Sequence, residues 1–253
     1  MIELAALIPD GIAQMDFYLL IAASLVTSLI TAAFGIGGGV ILLVLMAMLV
    51  PPAALIPIHG IVQLGSNGGR VAIMAKDVVW RPIMPFVIGS VIGAIAGGLV
   101  AVQLPNWLVQ LGLGVFIIIV VFTKLPPIQH RYIFAGGMIS SFLTMFFGAT
   151  GNFIAAMVKT MTLPPLPHVA THSMMMTFQH LIKVIVFGIV GFHFANYWAL
   201  VLGMLVSGFV GTVIGRQFLV KAGQRYFKPI LNTVLTLAAC RLIYAGITGL
   251  IGV

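Results

Sequence analysis

The chain has 253 residues, of which 61% are apolar and only 6% are charged, and its formal net charge is +8. A soluble globular protein carries roughly 25% charged residues, so this composition cannot cover a water-facing surface and leaves no room for a soluble catalytic domain. The basic residues are spread over short loops, which argues against nucleic acid as the partner.

Apolar segments recur along nearly the whole chain, and the mean hydropathy is +1.22. Crossing a hydrocarbon core takes about 20 apolar residues per helix. Every backbone polar group in lipid must be paired within the protein, so only helices and closed barrels can span it. The apolar runs are continuous rather than alternating, as in residues 111–122. The sequence therefore predicts an all-α, polytopic integral membrane protein.

The chain divides into an N-terminal segment, two transmembrane repeats and a linker. Residues 1–16 are predicted to be extracytoplasmic; they carry three acids and no basic residue, the opposite of a signal peptide. The first repeat covers 17–123, a cytoplasmic linker 124–132, and the second repeat 133–253. Six stretches have the length and composition of full spans: 54–75, 82–103, 106–123, 167–189, 197–215 and 229–250.

Two further stretches, 17–49 and 133–162, are too long for one span. Each is interrupted by a glycine-rich segment, FGIGGG at 34–39 and FGATGN at 147–152. We expect two helical arms to meet at each break, either as a re-entrant hairpin or as a full span. The single cysteine, Cys240, lies in an apolar run of the last span and is expected to be a small core residue.

The two halves resemble each other in sequence. Residues 34–70 align without a gap on 147–183, at an offset of 113, with eight identities in 37 positions. Apolar chains match by chance at Leu and Val, but coincident prolines, histidines and cations are harder to obtain that way. Such matches are Pro51-Pro52 with Pro164-Pro165, His59 with His172, and Arg70 with Lys183. These matches indicate an internal duplication.

The charge distribution predicts how the halves are oriented, because cytoplasmic loops are enriched in Lys and Arg. With the spans above, all basic loops fall on one side; they contain Lys76, Arg81, Lys124, Arg131, Lys159, Arg216, Lys221, Arg225 and Lys228. The acidic N-terminus and the loops near Pro105 and His193 fall on the other side. The sequence thus predicts inverted-topology repeats, which many secondary transporters have, with both termini outside the cytoplasm.

The two glycine-rich breaks are candidate anion-binding sites. A helix that begins at such a break presents unpaired N–H groups and the positive end of its dipole. The candidate residues are Gly37, Gly38 and Gly39 in the first half and Thr150, Gly151 and Asn152 in the second. Glycines can also serve only to bring helices together, and we assign that role to Gly89, Gly93, Gly97 and Gly98.

Polar side chains form a stripe along one face of each central span. The stripe contains His59, Gln63, Ser66, Asn67 and Arg70 in span 54–75, and His172, Met176, Gln179, His180 and Lys183 in span 167–189. Polar groups in a membrane usually face the bundle interior or a water-filled cavity. Arg70 could instead extend to the cytoplasmic interface. Arg241 is a further cation within a span, with either a structural or a pathway role.

The spans contain no carboxylate, and the only acid after Asp16 is Asp77 in a loop. A cation pathway would normally offer oxygen anions, so the sequence predicts an anionic cargo. If protons are coupled to transport, His59, His172 and His180 are the candidate carriers. His168 and His172 have the i, i+4 spacing of metal ligands but lack further ligands nearby, so no metal or other cofactor is predicted.

The chain resembles the sulfite exporter TauE/SafE family from about Phe17 to Gly249. The resemblance is carried by FGIGGGVILLVLMAMLVPP (34–52) and HGIVQLGSNGGR (59–70), and by FGATGNFIAAMVKTMTLPPLPHVATHS (147–173) and FQHLIK (178–183). It implies an inner-membrane permease that moves sulfite or a small organosulfonate out of the cytoplasm. The second copy departs from the first-half glycine pattern at Thr150 and Asn152, so it need not bind a second substrate.

The sequence as a whole predicts a secondary transporter for a small sulfur-containing anion, working by movement of one repeat against the other. An anion channel or an intramembrane enzyme that uses the same polar stripe is the alternative. The expected partners are the anion, the lipid bilayer and, as open possibilities, protons and a second copy of the chain.

Overall fold

A computed structural model describes residues 7–34, 37–101, 103–123, 128–148, 150–217 and 227–252. Several residues of the features described above lie outside these ranges, among them Glu3, one of the three N-terminal acids; Gly35, in the first glycine-rich break; and the loop cations Lys124, Lys221 and Arg225. The described residues form α-helices and short connections. The helices are α1 Gln14–Phe34, α2 Gly38–Leu49, α3 Pro52–Met74, α4 Ile83–Ala101, α5 Asn106–Phe122, α6 Ile133–Phe147, α7 Gly151–Lys159, α8 Pro165–Ile189, α9 Trp198–Arg216 and α10 Phe227–Ile251.

Three segments are long and apolar enough to cross a membrane by length and composition, namely Gln14–Phe34, Ile83–Ala101 and Phe194–Arg216. Helices α3 and α8 are longer, with 23 and 25 residues, but their polar stripes lower their hydropathy. This confirms the prediction of an all-α polytopic membrane protein. The six predicted full spans correspond to α3, α4, α5, α8, α9 and α10.

Each long stretch with a glycine-rich break forms a helical hairpin. Helix α2 begins beside the middle of α1, since a Cβ on Gly38 would collide with the carbonyl of Thr27. It then returns to the end where α1 begins, where Pro51 lies against Gly11. The chain reverses between the two arms of each hairpin at a glycine with positive φ, Gly37 (108°) in the first and Gly148 (66°) in the second. Such φ values favour glycine.

Helix α7 returns along α6 in the same way, because a Cβ on Gly136 would collide with the Met157 sulfur. The hydroxyl of Thr160, just after α7, donates to the carbonyl of Ile128, just before α6. The arms are therefore re-entrant, one hairpin entering from each end of the bundle. The first turns of α2 and α7 both lie inside the protein.

Helices that correspond in the two halves pack in corresponding ways. Helix α4 packs on α6, and α9 packs on α1; α3 packs on α8, and α5 packs on α10. The last two pairs are antiparallel: Gly60 lies next to Lys183 and Arg70 next to Ser173, while Gly114 lies next to Ile243. The inverted-repeat prediction requires this arrangement. The prediction also concerns the side of the membrane that each half faces, and it stays a prediction, as do the repeat limits 17–123 and 133–253.

The basic loops that the structure describes share one end of the bundle. A hydrophobic cluster there joins the end of α3 and the start of α4 to α6, α7 and α8; it includes Met74, Ile83, Ile133, Val158 and Val169. The turns at this end contain Lys76, Arg81, Arg131 and Lys159. We call it the basic end, and the opposite one the outer end.

Glycines determine how closely α4 and α6 approach each other. A Cβ on Gly89 would collide with the carbonyl of Phe134, and one on Gly93 with the carbonyl of Met138. Gly97 and Gly98 are also close to neighbouring helices. The packing role predicted for these glycines is confirmed.

Candidate functional site

The two polar stripes meet where α3 and α8 cross in the middle of the bundle. Every ionisable or amide side chain predicted in the stripes is buried, and the most exposed of them, His172, is only 7% exposed. Buried polar groups in a membrane protein face its interior, as expected from their cost in lipid. Burial thus places both stripes inside the bundle.

A central cavity of about 40 Å³ lies at this crossing. One water molecule needs roughly 10–15 Å³, so the cavity can hold a few waters or a small ion. Ten of the fourteen predicted site residues line it: Gly37, Gly39, His59, Gln63, Asn67, Arg70, Gly151, Asn152, His172 and His180. The wall is completed by Thr31, Val40, Gly148 and Met176.

Two helix N-termini point into the central cavity. Helix α2 begins at Gly38 and α7 at Gly151, and residues of both first turns line the wall. Val40 and Phe153 bond back to the carbonyls of Gly37 and Thr150. The N–H groups nearer the start of a helix have no intrahelical carbonyl to bind, and the helix dipole places positive charge beside them. The cavity therefore combines two positive helix ends from different halves of the chain.

A histidine from each central helix holds the first turn of a hairpin. The Nε2–H of His59 donates to the carbonyl of Gly39 at 3.0 Å, and that of His172 donates to the carbonyl of Gly151 at 3.2 Å. Because a carbonyl can only accept, each ring carries its proton on Nε2 and leaves Nδ1 as an acceptor or a site for a second proton. The histidines thus position the backbone at which an anion would bind.

Arg70 is the cation of the central cavity. Its Nε donates to the hydroxyl of Ser173 at 3.2 Å, and its Nη2 donates to Oδ1 of Asn67. Asn67 is in turn held by Gln63, because Nδ2 of Asn67 donates to the backbone carbonyl of Gln63 at 2.7 Å. Among the described residues, Nη1 of Arg70 has no partner. A buried cation with an unused donor and no carboxylate nearby leaves one charge-assisted hydrogen bond available to an occupant of the cavity.

His180 contributes two more unpaired groups to the cavity wall. Neither ring nitrogen has a partner among the described residues. Its ring meets that of His59 edge-on, with 6.2 Å between the ring centroids. Unpaired buried nitrogens are costly unless water or a ligand satisfies them, so the cavity is built to hold a polar occupant.

The other four predicted residues lie outside the cavity wall, and their contacts show what they support. Gly38 is the contact between α2 and α1. The hydroxyl of Thr150 donates to Oε1 of Gln179 at 3.0 Å, and this amide donates in turn to two serines of α6. Nζ of Lys183 donates to the hydroxyl of Thr144 at 3.4 Å. A direct role in substrate binding stays a prediction for these four, as it does for the ten residues of the cavity wall.

Sequence reasoning missed the polar face of the first helix in each half. Ser24, Thr27, Ser28 and Thr31 of α1 are buried, as are Ser140, Ser141 and Thr144 of α6. The offset of 113 extends to them, since it matches Thr27 with Ser140, Ser28 with Ser141 and Thr31 with Thr144. The contacts also correspond: Ser28 bonds to Ser66 at 3.1 Å, and Ser141 accepts from Gln179 at 3.0 Å.

Two residues singled out in the last helix lie on its exposed face. Cys240 is exposed, so the prediction of a core residue is wrong; the apolar run gave no information about which face meets lipid. Arg241 is also exposed and lies away from the central cavity. Within the part of the chain that the structure describes, no three His, Cys, Asp or Glu side chains come together as metal ligands.

The comparison with family models gives one match that covers most of the chain. The model described as Sulfite exporter TauE/SafE matches residues 20–242, which include most of the first hairpin, the whole second hairpin, both central helices and every residue of the cavity wall. No curated protein and no solved structure matches the chain. The length of the family match and the membrane-spanning fold lead to one conclusion. The chain belongs to the sulfite exporter TauE/SafE family.

Proposed function

We propose that the protein is a secondary transporter that moves a small sulfur-containing anion, sulfite or an organosulfonate, out of the cytoplasm. Its family is one of sulfite exporter permeases, which supports a transport rather than an enzymatic role. We place it in the inner membrane with both termini outside the cytoplasm, because the described basic loops share one end of the bundle. On this proposal the basic end faces the cytoplasm.

The observation that carries the proposal is the set of unused donors around a cavity without carboxylates. Arg70 offers Nη1 and His180 offers its ring. Helices α2 and α7 offer the N–H groups that precede Val40 and Phe153, the first residues of these turns whose N–H groups bond back to a carbonyl. A sulfite or sulfonate group presents three oxygens and negative charge, so it can accept from several of these donors at once. Fixed donors in a site shielded from water discriminate strongly for charge.

The first prediction tests Arg70 as an anion ligand. In proteoliposomes loaded with labelled sulfite, we expect saturable flux for the unchanged protein and a loss of about 10–100-fold in apparent affinity for Arg70→Gln. A charge-assisted hydrogen bond contributes about 1.5–3 kcal/mol, which corresponds to that range. Arg81→Gln, which removes an exposed cation from a loop, is the matched control and should leave the flux unchanged.

Two results would contradict the proposal. Equal flux in the Arg70→Gln and Arg81→Gln variants would remove Arg70 from the site. Flux that does not saturate and exceeds carrier rates would indicate an open pore instead of alternating access.

The second prediction concerns protons. His59, His172 and His180 lie around one cavity with no acid to neutralise them, so protonation of any of them adds positive charge beside the anion. We expect binding of an organosulfonate, which stays ionised throughout, to strengthen as the pH falls, because a bound anion favours uptake of a proton by a ring beside it. The measurement is the apparent affinity at each pH. If replacing His59, His172 and His180 together by Gln leaves the pH profile unchanged, the histidines do not carry the coupling.

A further inference from the structure

A second, larger cavity of about 250 Å³ opens at the outer end of the bundle. It lies among the starts of α3 and α5 and the ends of α4, α6 and α8, and it is lined by residues such as Pro52, Ala53, Leu104, Asn106 and Phe192. None of its lining residues is charged, and Asn106 supplies the polar side chain. The cavity is wide enough for a hydrated anion but holds no fixed charge that would retain one.

Only one layer of side chains separates this outer cavity from the central one. Ile56 lines the outer cavity and is 4% exposed. Its Cδ1 lies 3.3 Å from the point where a Cβ on Gly148 would stand, and Nδ1 of His59 lies 3.3 Å from the same point. Gly148 and His59 both line the central cavity. Ile56 therefore has the outer cavity on one side and the wall of the central cavity on the other.

Lys183 lies just behind this layer. Phe187, one helical turn after Lys183, lines the outer cavity, and so does Met145, the neighbour of its partner Thr144. Cε of Lys183 lies 2.9 Å from the position of a Cβ on Gly60, one turn after Ile56. The side chain is fully buried. An anion that entered past Ile56 and Met145 would meet the ammonium group of Lys183 before the donors of the central cavity. An anion that left by the same route would meet it after them.

The basic end is closed differently. The backbone N–H of Val79 donates to the hydroxyl of Thr171 at 3.0 Å, and Arg70 is bonded to Ser173 across the helix crossing. Polar contacts and the cluster around Met74 and Val169 hold this end together. The structure thus pairs a closure of polar contacts and an apolar cluster at the basic end with a thin apolar layer at the outer end.

We propose that the 250 Å³ cavity is the outer vestibule of the anion path. In this assignment Ile56 is the barrier between the vestibule and the central cavity, and Lys183 is the cation that the anion meets at this barrier. The assignment rests on the proposed function and extends it by naming the route. A thin apolar layer is a suitable gate, since a narrow apolar constriction excludes water and ions until it widens.

Cysteine accessibility tests the route without using transport. In a Cys240→Ala background, Ala53→Cys places a thiol in the vestibule and Asn152→Cys places one in the central cavity. A membrane-impermeant anionic methanethiosulfonate is added to the outer face of oriented vesicles. We expect rapid modification at position 53 and slow modification at 152. Ile56→Ala should accelerate modification at 152 by about tenfold, as lowering a barrier by about 1.4 kcal/mol would do, without changing that at 53.

Ile88→Ala is the matched control, because Ile88 is 51% exposed on the outer surface of α4. It should leave both rates unchanged. Ile56→Val, which removes less volume, should accelerate modification at 152 by a smaller factor, and it serves if Ile56→Ala does not fold. Equal rates at 152 with and without the Ile56 substitutions would overturn the assignment, as would access to position 53 only from the basic end. Normal labelling without sulfite flux would leave the vestibule standing and refute the proposed cargo.

Discussion

At the scale of single residues, the two cations of the central helices occupy matched positions with unmatched partners. The offset of 113 pairs Arg70 with Lys183 and Gly60 with Ser173. Arg70 bonds to the hydroxyl of Ser173, whereas Lys183 crosses α3 at Gly60, which has no side chain to offer. The duplication thus places a cation from each half at the crossing of α3 and α8. The guanidinium of Arg70 is rigid, the ammonium of Lys183 is flexible, and the two lie at opposite ends of the crossing.

The third prediction uses two glycines of α3. Gly60→Ala would put a Cβ 2.9 Å from Cε of Lys183, so it should displace the ammonium and reduce sulfite flux. Gly68→Ala adds its methyl group where nothing lies within 4 Å. That change should leave flux intact and stabilise the protein by up to about 1 kcal/mol, because alanine favours the helix. Flux and thermal unfolding of both variants in detergent are the measurements; equal flux would show that Lys183 needs no fixed position.

The residue scale also shows what the sequence could and could not reveal. His59, His172 and Arg70 stand out because imidazole and guanidinium groups are expensive in a membrane, and the structure brings them to one cavity. Ser140 and Ser141 gave no such signal, since serine is common wherever membrane helices pack. Only the repeat offset could have distinguished their role.

At the scale of elements, the spans were predictable and the direction of the hairpin arms was not. Helix limits follow from where the apolar runs meet Pro, Gly and charge; α3, for example, is predicted over 54–75 and found at Pro52–Met74. A re-entrant arm and a spanning arm have the same apolar composition. The close approach of Gly38 to the Thr27 carbonyl shows that α2 turns back beside α1, and this contact could not be read from the sequence.

The fourth prediction concerns the glycine contacts between helices. A Cβ on Gly93 would collide with the Met138 carbonyl of α6, and a Cβ on Gly211 with the Leu25 carbonyl of α1. Backbone atoms cannot move aside as a flexible side chain can. Gly93→Ala and Gly211→Ala should therefore each destabilise the protein by about 1–3 kcal/mol. Unfolding followed by circular dichroism is the measurement, with Gly68→Ala as control. If only one of the two destabilises, the α4–α6 and α1–α9 contacts are not equivalent.

At the scale of the whole molecule, the halves are interlocked rather than placed side by side. The first helix of each half packs on the fourth helix of the other, α1 on α9 and α6 on α4. Moving one repeat as a rigid body against the other would have to break both glycine contacts. A movement that keeps α1 with α9 and α4 with α6 would preserve them and change the crossing of α3 and α8. For the proposed transport we therefore expect these exchanged pairs, rather than the two repeats, to be the moving units.

The last prediction concerns Arg241, which lies at mid-height of the α5–α10 pair. A Cβ on Gly114, the midpoint of α5, would lie 2.8 Å from the carbonyl of Ala239 and 3.0 Å from the amide of Ile243. An exposed arginine at the centre of a membrane helix costs about 2.5–3.5 kcal/mol on insertion scales. We expect Arg241→Leu to increase insertion of the α10 segment in a host-protein assay accordingly. Arg216→Leu, at the end of α9, should have a smaller effect on its own helix because a terminal arginine reaches the interface.

In the intact protein, Arg241→Leu should leave sulfite flux unchanged, because Arg241 contributes to neither cavity wall. A marked loss of flux with normal folding would contradict this. It would mean that the cation is retained, against its cost in lipid, for a contact that the single chain does not contain. Unchanged flux would instead confine the function of the cations to Arg70 and Lys183, the two that the fold buries at the crossing of its central helices.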